Sequence, residues 1–411
     1  MNYKDQITPD QGAKKLLDFN IEYKYEEIET SQAFKRILAE DLYAKIDVPS
    51  FDKSPFDGYA LRGEDTKGAS EENPIRFEIT EEIPAGSFPK KDLGKFQAAK
   101  ILTGGPLPQG ANTTIKFEKT DFTENQVFIK EELKANSNVV KQGEDIKKDS
   151  LLLERGSILD SPSLGLLASQ GIEKIKVYKK PKLGFFLTGS ELKELGQDLE
   201  PGEIYDSNHL TFLSIFENLG FVVEDYGLVE DDLEEIMRLT KIANETCDLL
   251  ITTGGASVGD YDYGARAVES LGGRVLFTKT AMKPGGSLVV SKLRDKAVIN
   301  LSGNPGAAIL GLFRVCLPFL KKTLGRKEIY SPSFEALLKR PFDKENPRLR
   351  LLRGSLEYKD GKLYFLENQD QGNGILSSFV GSKVFGEIPP GVNYLDAGKL
   401  IKVYDLENLF S

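Results

Sequence analysis

Residues 249–263 of the 411-residue chain read LLITTGGASVGDYDY. Leu249-Leu250-Ile251-Thr252 is a short apolar, β-branched run, the pattern of a buried strand. Thr253-Gly254-Gly255 follows, a turn whose glycines let a backbone come close to a ligand. Ala256 to Tyr263 then puts two carboxylates, Asp260 and Asp262, and two phenols at the strand mouth. In open α/β sheets, ligands sit outside the carboxyl ends of the strands. These residue types suit an anionic ligand held together with a hard cation. A glycine turn with a solvated acidic tip would use the same residues.

Two further turns have this character. Thr188-Gly189-Ser190-Glu191 follows one apolar run, and Leu301-Ser302-Gly303-Asn304-Pro305-Gly306 follows another and opens a helix. Glycine-rich strand-to-helix turns gather free backbone N–H groups, which bind phosphate. One such turn says little; three at strand ends in one domain say more. Lys279 and Lys283 supply a basic patch for the anion, or are simply a solvated lysine pair. Earlier in the chain, Pro49 and Pro55 forbid a helix interior and leave Asp52, Ser54 and Asp57 on a loop. Asp57-Gly58 is a turn signal, and an Asx turn would occupy Asp57 with its own backbone. Thr103 opens a second rigid loop, Thr103-Gly104-Gly105-Pro106-Leu107-Pro108.

Composition narrows the chemistry. The net charge is −9, which argues against nucleic acid or an anionic membrane as the main partner. The two cysteines, Cys247 and Cys316, and the lone His209 exclude an ordinary zinc site, a disulfide framework and a local Cys–His nucleophile pair. A metal, if used, is a hard, oxygen-liganded one such as Mg²⁺. Met1–Asp10 is polar rather than a signal peptide, and no apolar run reaches membrane-spanning length. A soluble, cytoplasmic protein is expected.

The elements that must position these residues fall in blocks. Residues 1–45 read as helical, with Ser31 capping a second helix through Ala33, Phe34, Ile37 and Leu38. Residues 46–140 read as a β-rich insertion, with strands at Ile75–Ile79, Lys100–Leu102, Thr113–Glu118 and Gln126–Ile129. Residues 141–180 return to the first unit, with a helix capped by Ser161 and ended by Gly171. Residues 181–328 alternate strand and helix, which means an α/β/α domain with a mostly parallel sheet. Its closing helix carries Ile309, Leu312, Phe313, Cys316 and Leu320 on one face, with Cys316 in the core. Residues 329–411 revert to β as a small barrel or sandwich, with an Asp360-Gly361 hairpin and Arg348, Arg350 and Arg353 near its start.

The ordered set Ser54-Pro55-Phe56-Asp57-Gly58-Tyr59-Ala60, Thr103-Gly104-Gly105-Pro106, Gly143-Glu144-Asp145, Thr188-Gly189-Ser190-Glu191, Gly254 through Asp262, Lys283-Pro284-Gly285 and Gly303-Asn304-Pro305 resembles the MoeA family. These are the molybdenum-inserting enzymes of molybdenum cofactor biosynthesis, related to the gephyrin C-terminal domain. The resemblance covers essentially the whole chain. It implies a multidomain α/β plus β fold: an N-terminal α+β dimerisation domain (1–45 with 141–180), the β-rich insertion (46–140), a MogA-like catalytic domain (181–328) and a C-terminal β-barrel (329–411). It implies a Mg²⁺-dependent transferase that turns adenylylated molybdopterin and molybdate into molybdenum cofactor and AMP. Implied partners are a second copy in a homodimer, a MogA-type adenylyltransferase and molybdopterin synthase.

By motif match, the resemblance assigns catalytic roles to Asp57, Thr103, Asp262, Lys279 and Lys283. It assigns Glu191 and Asp262 to the metal, and Ser190, Gly254, Gly255, Ser257, Ser302, Gly303, Asn304 and Pro305 to substrate binding. Asp145 and Asp231 are weaker matches. Asp57 and Thr103 could serve the α/β domain of the other chain. The chain departs from the family's usual pattern at Ser302 (usually Pro), Gly306 (usually Val or Ala), Gly286-Ser287 (often Lys-Pro) and Lys141-Gln142 (usually Arg nearby). It also has Ser54-Pro55-Phe56 where Ser-Ala-Met is common. The alternatives are a gephyrin-like scaffold, a tungstate-preferring paralogue and a CinA-type hydrolase, whose MogA-like domain sits at the N-terminus rather than centrally.

Overall fold

A computed structural model describes residues 6–254 and 263–406 of the chain. The first helix, Pro9–Leu17, starts at a capping box in which the Gln11 N–H donates to Thr8 Oγ1 and the Thr8 N–H to Gln11 Oε1. The second helix expected after Ser31 does not form. Only a 3₁₀ turn, Thr30–Gln32, is present. Beyond it, Lys35 and Leu38 N–H groups donate to Leu159 and Ser157 carbonyls, and Ile37 and Leu38 bridge to Ile158 and Val177. Backbone partners from residues 157–177 thus replace the internal bonds of a helix. Ala33, Ile37 and Leu38 are buried as the spacing suggested, but Phe34 is exposed.

Strand Tyr25–Glu29 pairs antiparallel with Lys174–Tyr178, so the chain's start and the segment after the insertion form one unit. Helix Ser161–Ser169 is capped by Asp160 rather than Ser161: the Ser163 N–H donates to Asp160 Oδ1 at 3.0 Å. A carboxylate is favoured there by the helix dipole. Within the insertion, a six-stranded sheet runs in the order Thr113–Lys116, Gly58–Leu61, Gln97–Ile101, Ile75–Ile83, Gln126–Ile129, Thr120–Phe122.

The central sheet runs in the order Val222–Val229, Lys182–Thr188, Leu249–Thr253, Lys296–Leu301, Ser287–Leu293, Arg274–Lys279. The first four strands are parallel and the last two antiparallel. Alternate residues of its apolar runs enter separate cores. Phe185, Ile251 and Ile299 join Phe212, Phe216 and Ile309; Phe186, Leu250 and Val298 join Ile236, Leu239 and Val268. Helices therefore cover both faces, as continuous apolar strands require. The closing helix passes from Pro305–Gly311 through a π turn, Leu312–Cys316, into Leu317–Thr323. The π turn accommodates Pro318, which has no N–H to give. Cys316 is fully buried, and burial pushes its thiol pKa up, so it is core.

Strand direction fixes where the turns go. The carboxyl ends of the four parallel strands, Val229, Thr188, Thr253 and Leu301, share one edge of the sheet. The antiparallel pairs Leu288–Leu301 and Lys279–Ser287 bring Ser287 and Lys279 to that same edge. After the central domain, the strands Leu349–Lys359, Lys362–Glu367, Ser333–Leu338, Leu400–Asp405 and Val384–Ile388 close into a five-stranded barrel. One strand spans Leu349–Lys359, and Asp360 and Gly361 turn its hairpin with φ of 49° and 73°.

The closing helix holds the barrel through Phe313, whose ring meets Phe385 edge-on at 4.8 Å. Beside it, Arg314 bonds Glu387 of the barrel at 2.6 Å and Asp10 of the first helix at 2.8 Å. The Arg314 and Glu387 side chains are only 15% and 10% exposed. Removing one partner of such a pair strands a buried charge, at a cost of about 3 kcal/mol. Arg314→Met is therefore expected to lower the unfolding free energy measured by urea denaturation by that amount, while Arg314→Met with Glu387→Met recovers much of it.

Candidate functional site

Three strand-end turns meet at the carboxyl edge of the central sheet. Gly254, at φ +93°, packs so closely on the turn after Lys182–Thr188 that a Cβ there would lie 2.0 Å from the Thr188 carbonyl oxygen. Only glycine gives both that conformation and that approach. Gly303 of the third turn lies against Gly254 as well, its Cβ direction 3.6 Å from the Gly254 Cα. Asn208, at the start of helix Asn208–Leu219, donates to the Gly303 carbonyl at 2.8 Å. Asp206 in turn accepts from the Asn208 and His209 N–H groups at 2.9 and 3.1 Å. Ser190 and Glu191 are exposed at the mouth of the first strand, and Glu191 makes no ion pair among the described residues. His209 bonds Asp225 at 2.8 Å and lies beside Phe185, so it supports the helix rather than the turn edge.

On the other side of the Ser302–Asn304 turn lies a cavity of about 340 Å³. Lys279, Lys283, Ser302 and Asn304 line it, as do Gln6, Thr280, Arg348 and Asn373. Three chain segments build it. Met282–Lys283 pairs parallel with Leu349–Arg350 of the barrel, which sets Arg348 beside Lys283. The Ala281 N–H donates to the Ile7 carbonyl at 2.8 Å, which brings Gln6 in. Three basic side chains thus share one recess in a chain of net charge −9. Two buried side-chain oxygens of its lining, Gln6 Oε1 and Thr280 Oγ1, have no partner among the described residues. Native proteins rarely leave such atoms unpaired, and a ligand is a common reason.

Arg353 stands behind this wall. It is fully buried, and its Nη2 donates to the carbonyls of Asp370 and Gly372 at 3.4 and 3.0 Å. That holds the loop that carries Asn373, whose carbonyl accepts from the Ala307 N–H at 3.2 Å. Gly306 makes room for this: a Cβ there would lie 2.7 Å from Arg353 Nη1 and 2.8 Å from the Asn373 oxygen. One of the turn's expected phosphate-binding N–H groups, that of Asn304, is already engaged by Ser302 Oγ at 3.2 Å, and the next N–H beyond the turn, that of Ala307, is taken by Asn373. At Gly286, where a lysine is common in the resembling family, a Cβ would lie 2.5 Å from the Met282 carbonyl oxygen. No lysine fits this tight hairpin, and Arg348 provides the third cation of the recess.

The remaining expected residues stand elsewhere. Asp57 and Thr103 sit together in the insertion and outside the cavity lining. Asp57 Oδ1 accepts from the Thr103 N–H and from Thr103 Oγ1, both at 2.7 Å. The Asx turn considered for Asp57 is thus absent; its partner is a loop 46 residues away. Asp145 is exposed in the segment after the insertion, and Asp231 is exposed just past Val222–Val229, at the turn edge. Gly255, Ser257, Asp260 and Asp262 lie outside the described residues. Arg348, Asn373, Gln6 and Thr280 escaped the sequence reading. Only the arginine cluster at 348–353 left a signal; an asparagine in a loop leaves none.

The backbone and hydroxyl bonds from Thr103 hold the Asp57 carboxyl below the usual carboxylate range. Its folded pKa is depressed, so this contribution to stability is full above the ordinary pKa and is lost as pH falls through the folded one. Thr103→Val removes the hydroxyl bond and is expected to move the Asp57 pKa back up by a fraction of the shift, read by carbon-13 NMR of the Asp57 carboxyl. An unchanged pKa would show that the bond to Thr103 Oγ1 has no part in it.

Comparison with known proteins identifies the family. Three family models match in order: the MoeA N-terminal region (domain I and II) over residues 7–171, a probable molybdopterin binding domain over residues 184–322, and the MoeA C-terminal region (domain IV) over residues 335–406. A Staphylococcus epidermidis protein named molybdopterin molybdenumtransferase is 34% identical over 97% of this chain and 95% of its own. One of the same name from Bacillus subtilis is 35% identical over 97% and 93%. The crystal structure of a molybdopterin biosynthesis MoeA protein from Pyrococcus horikoshii superposes with a TM-score of 0.81 at 32% identity, covering 98% of this chain and 99% of that one. Full-length likeness in sequence, domain order and fold means that the chain belongs to the MoeA family.

Proposed function

We propose that the chain is a molybdopterin molybdenumtransferase, which inserts molybdenum from molybdate into adenylylated molybdopterin and releases AMP. The observation that carries this is the shared Ser302–Asn304 turn. On one side it walls a recess lined by Lys279, Lys283 and Arg348; on the other it touches the strand-end turns that lead to Glu191. From the strand ending at Thr188 to the strand ending at Lys279 are four sheet spacings, or ~19 Å. An extended ligand with an anion at one end and phosphates along its length fits such an edge.

The roles follow from charge. Lys279, Lys283 and Arg348 would hold the dianionic molybdate against solvent. Arg353 acts through structure, by keeping the Asn373 loop on the wall. Glu191, exposed and without an ion pair among the described residues, has the chemistry of a Mg²⁺ ligand, with Asp262 as its partner. When bound, Mg²⁺ would neutralise charge as the adenylyl–phosphate bond breaks. Asp57 is held in its ionised form, so it would repel an oxyanion and suits a water instead, accepting its proton in a hydrogen bond. Its separation from the recess within one chain supports a homodimer in which the insertion of one copy faces the α/β domain of the other. The division into an N-terminal unit, insertion, catalytic domain and barrel serves that arrangement. A cytoplasmic setting with a MogA-type adenylyltransferase and molybdopterin synthase upstream completes the reading. Among the described residues no helix is long and apolar enough to cross a membrane.

The test is AMP release from adenylylated molybdopterin with molybdate and Mg²⁺. Glu191→Ala and Lys283→Met are each expected to slow it by at least ~10²-fold, a typical size for losing a charge-stabilising group. Lys283→Met should also weaken molybdate binding measured by calorimetry, whereas Glu191→Ala should not. Unchanged turnover in both variants would reject the assignment.

A further inference from the structure

A second cavity, of about 460 Å³, shares no lining residue with the first. It opens toward the amino ends of the central strands, where Lys180 precedes the strand Lys182–Thr188 and Gly220 follows the helix Asn208–Leu219. The first unit, the closing helix, the linker to the barrel and the barrel's last strand all meet there.

Its recessed end is cationic. Lys321 and Arg326 are both partly buried, and neither makes an ion pair among the described residues. Lys321 Nζ has Ser331 Oγ at 3.3 Å. Arg326 Nη2 donates to the Leu219 carbonyl at 2.7 Å, which caps that helix, but its buried Nε has no partner among the described residues. Burial, with Arg326 adding to it, presses the Lys321 pKa down to about 8; burial also lowers that of Arg326. An unpaired cation held out of water in this way is costly, and an incoming anion relieves it. Capping and helix-end lysines explain one N–H of Arg326 and the position of Lys321, not their shared recess. Lys35 and Lys180 add positive charge to the lining; Glu217 and Glu328 are exposed carboxylates, and Asp405 is a half-buried one.

The walls are apolar. Phe34, Ile158 and Tyr330 line the cavity with 53%, 43% and 65% of their surface exposed, and buried Leu219, Phe313 and Leu317 complete it. The volume is in the range of small-molecule sites, roughly 300–1,000 Å³. We propose that this cavity binds a small organic acid, its anionic head on Lys321 and Arg326 and its aromatic or branched body against Phe34, Leu219 and Tyr330. Inorganic anions would gain only the first half of that interaction.

The experiment is calorimetric titration of the full chain with 1-naphthoate, 1-naphthamide and inorganic phosphate. Naphthoate is expected to bind one per chain, at least ~10-fold tighter than the amide, because the charged head forms charge-assisted hydrogen bonds. Phosphate at this site should be weaker than naphthoate by a similar factor. Lys321→Met should cost naphthoate ~10-fold and leave the amide unchanged, and Glu328→Gln should tighten naphthoate. Lys321→Met removes an unpaired charge, so its melting temperature should not fall; if it does, Glu328→Gln alone decides. Equal binding of acid and amide, no saturable binding of the acid, or an acid affinity indifferent to both substitutions would overturn the proposal.

Discussion

A two-residue pairing holds the functional edge together. Met282–Lys283 runs parallel beside Leu349–Arg350, and the Leu349 N–H donates to the Ala281 carbonyl at 3.0 Å. This joins the central domain to the barrel at a place where both carry basic side chains. Without it, Lys283 and Arg348 would belong to separate surfaces. The tie is brief, so it depends on the larger contacts behind it: the Phe313–Phe385 packing, the Arg314–Glu387–Asp10 bonds and the Ile7–Thr280 bridge. Apolar burial around Phe313 and Phe385, rather than the pairing itself, supplies the free energy that holds the barrel on the closing helix.

Parallel pairing has a second consequence. It sends every connection after a strand to the same edge, so the chain repeatedly returns to one line with a glycine turn. Gly254 and Gly303 show how close these returns become, and Asn208 locks the third turn to the helix beside it. The two antiparallel strands extend the same line by another two positions, which is how Lys279 reaches it. A binding edge built this way is rigid at its base and variable at its tips, which suits a site that must hold several charged groups in fixed relation.

Charge is distributed against the chain's overall sign. An acidic protein that handles anions must concentrate cations locally, and here they are recessed rather than spread. Recessing raises the strength of each interaction because water screens it less. Arg353 carries this furthest: it is a buried guanidinium that holds a loop by the carbonyls of Asp370 and Gly372.

The sequence by itself determined a great deal. Period and turn chemistry identified the strand–helix alternation of the central domain and four of the insertion strands, because apolar alternation and Gly or Pro punctuation are local properties of the chain. It misread residues 31–38, where hydrogen bonds to residues 157–177 displaced a helix that the local spacing allowed. It also misread the cap of the helix Ser161–Ser169, and it left open the partner of Asp57, which lies in a distant loop at Thr103. The lysines at 279 and 283 and the Ser302–Asn304 turn were legible as candidates, since each sits in a recognisable strand-end motif. That they share a recess with Arg348, Asn373, Gln6 and Thr280 was decided only by tertiary structure. Strand order, domain docking and the room left by Gly286 and Gly306 are set by contacts between distant segments, and no local pattern encodes them.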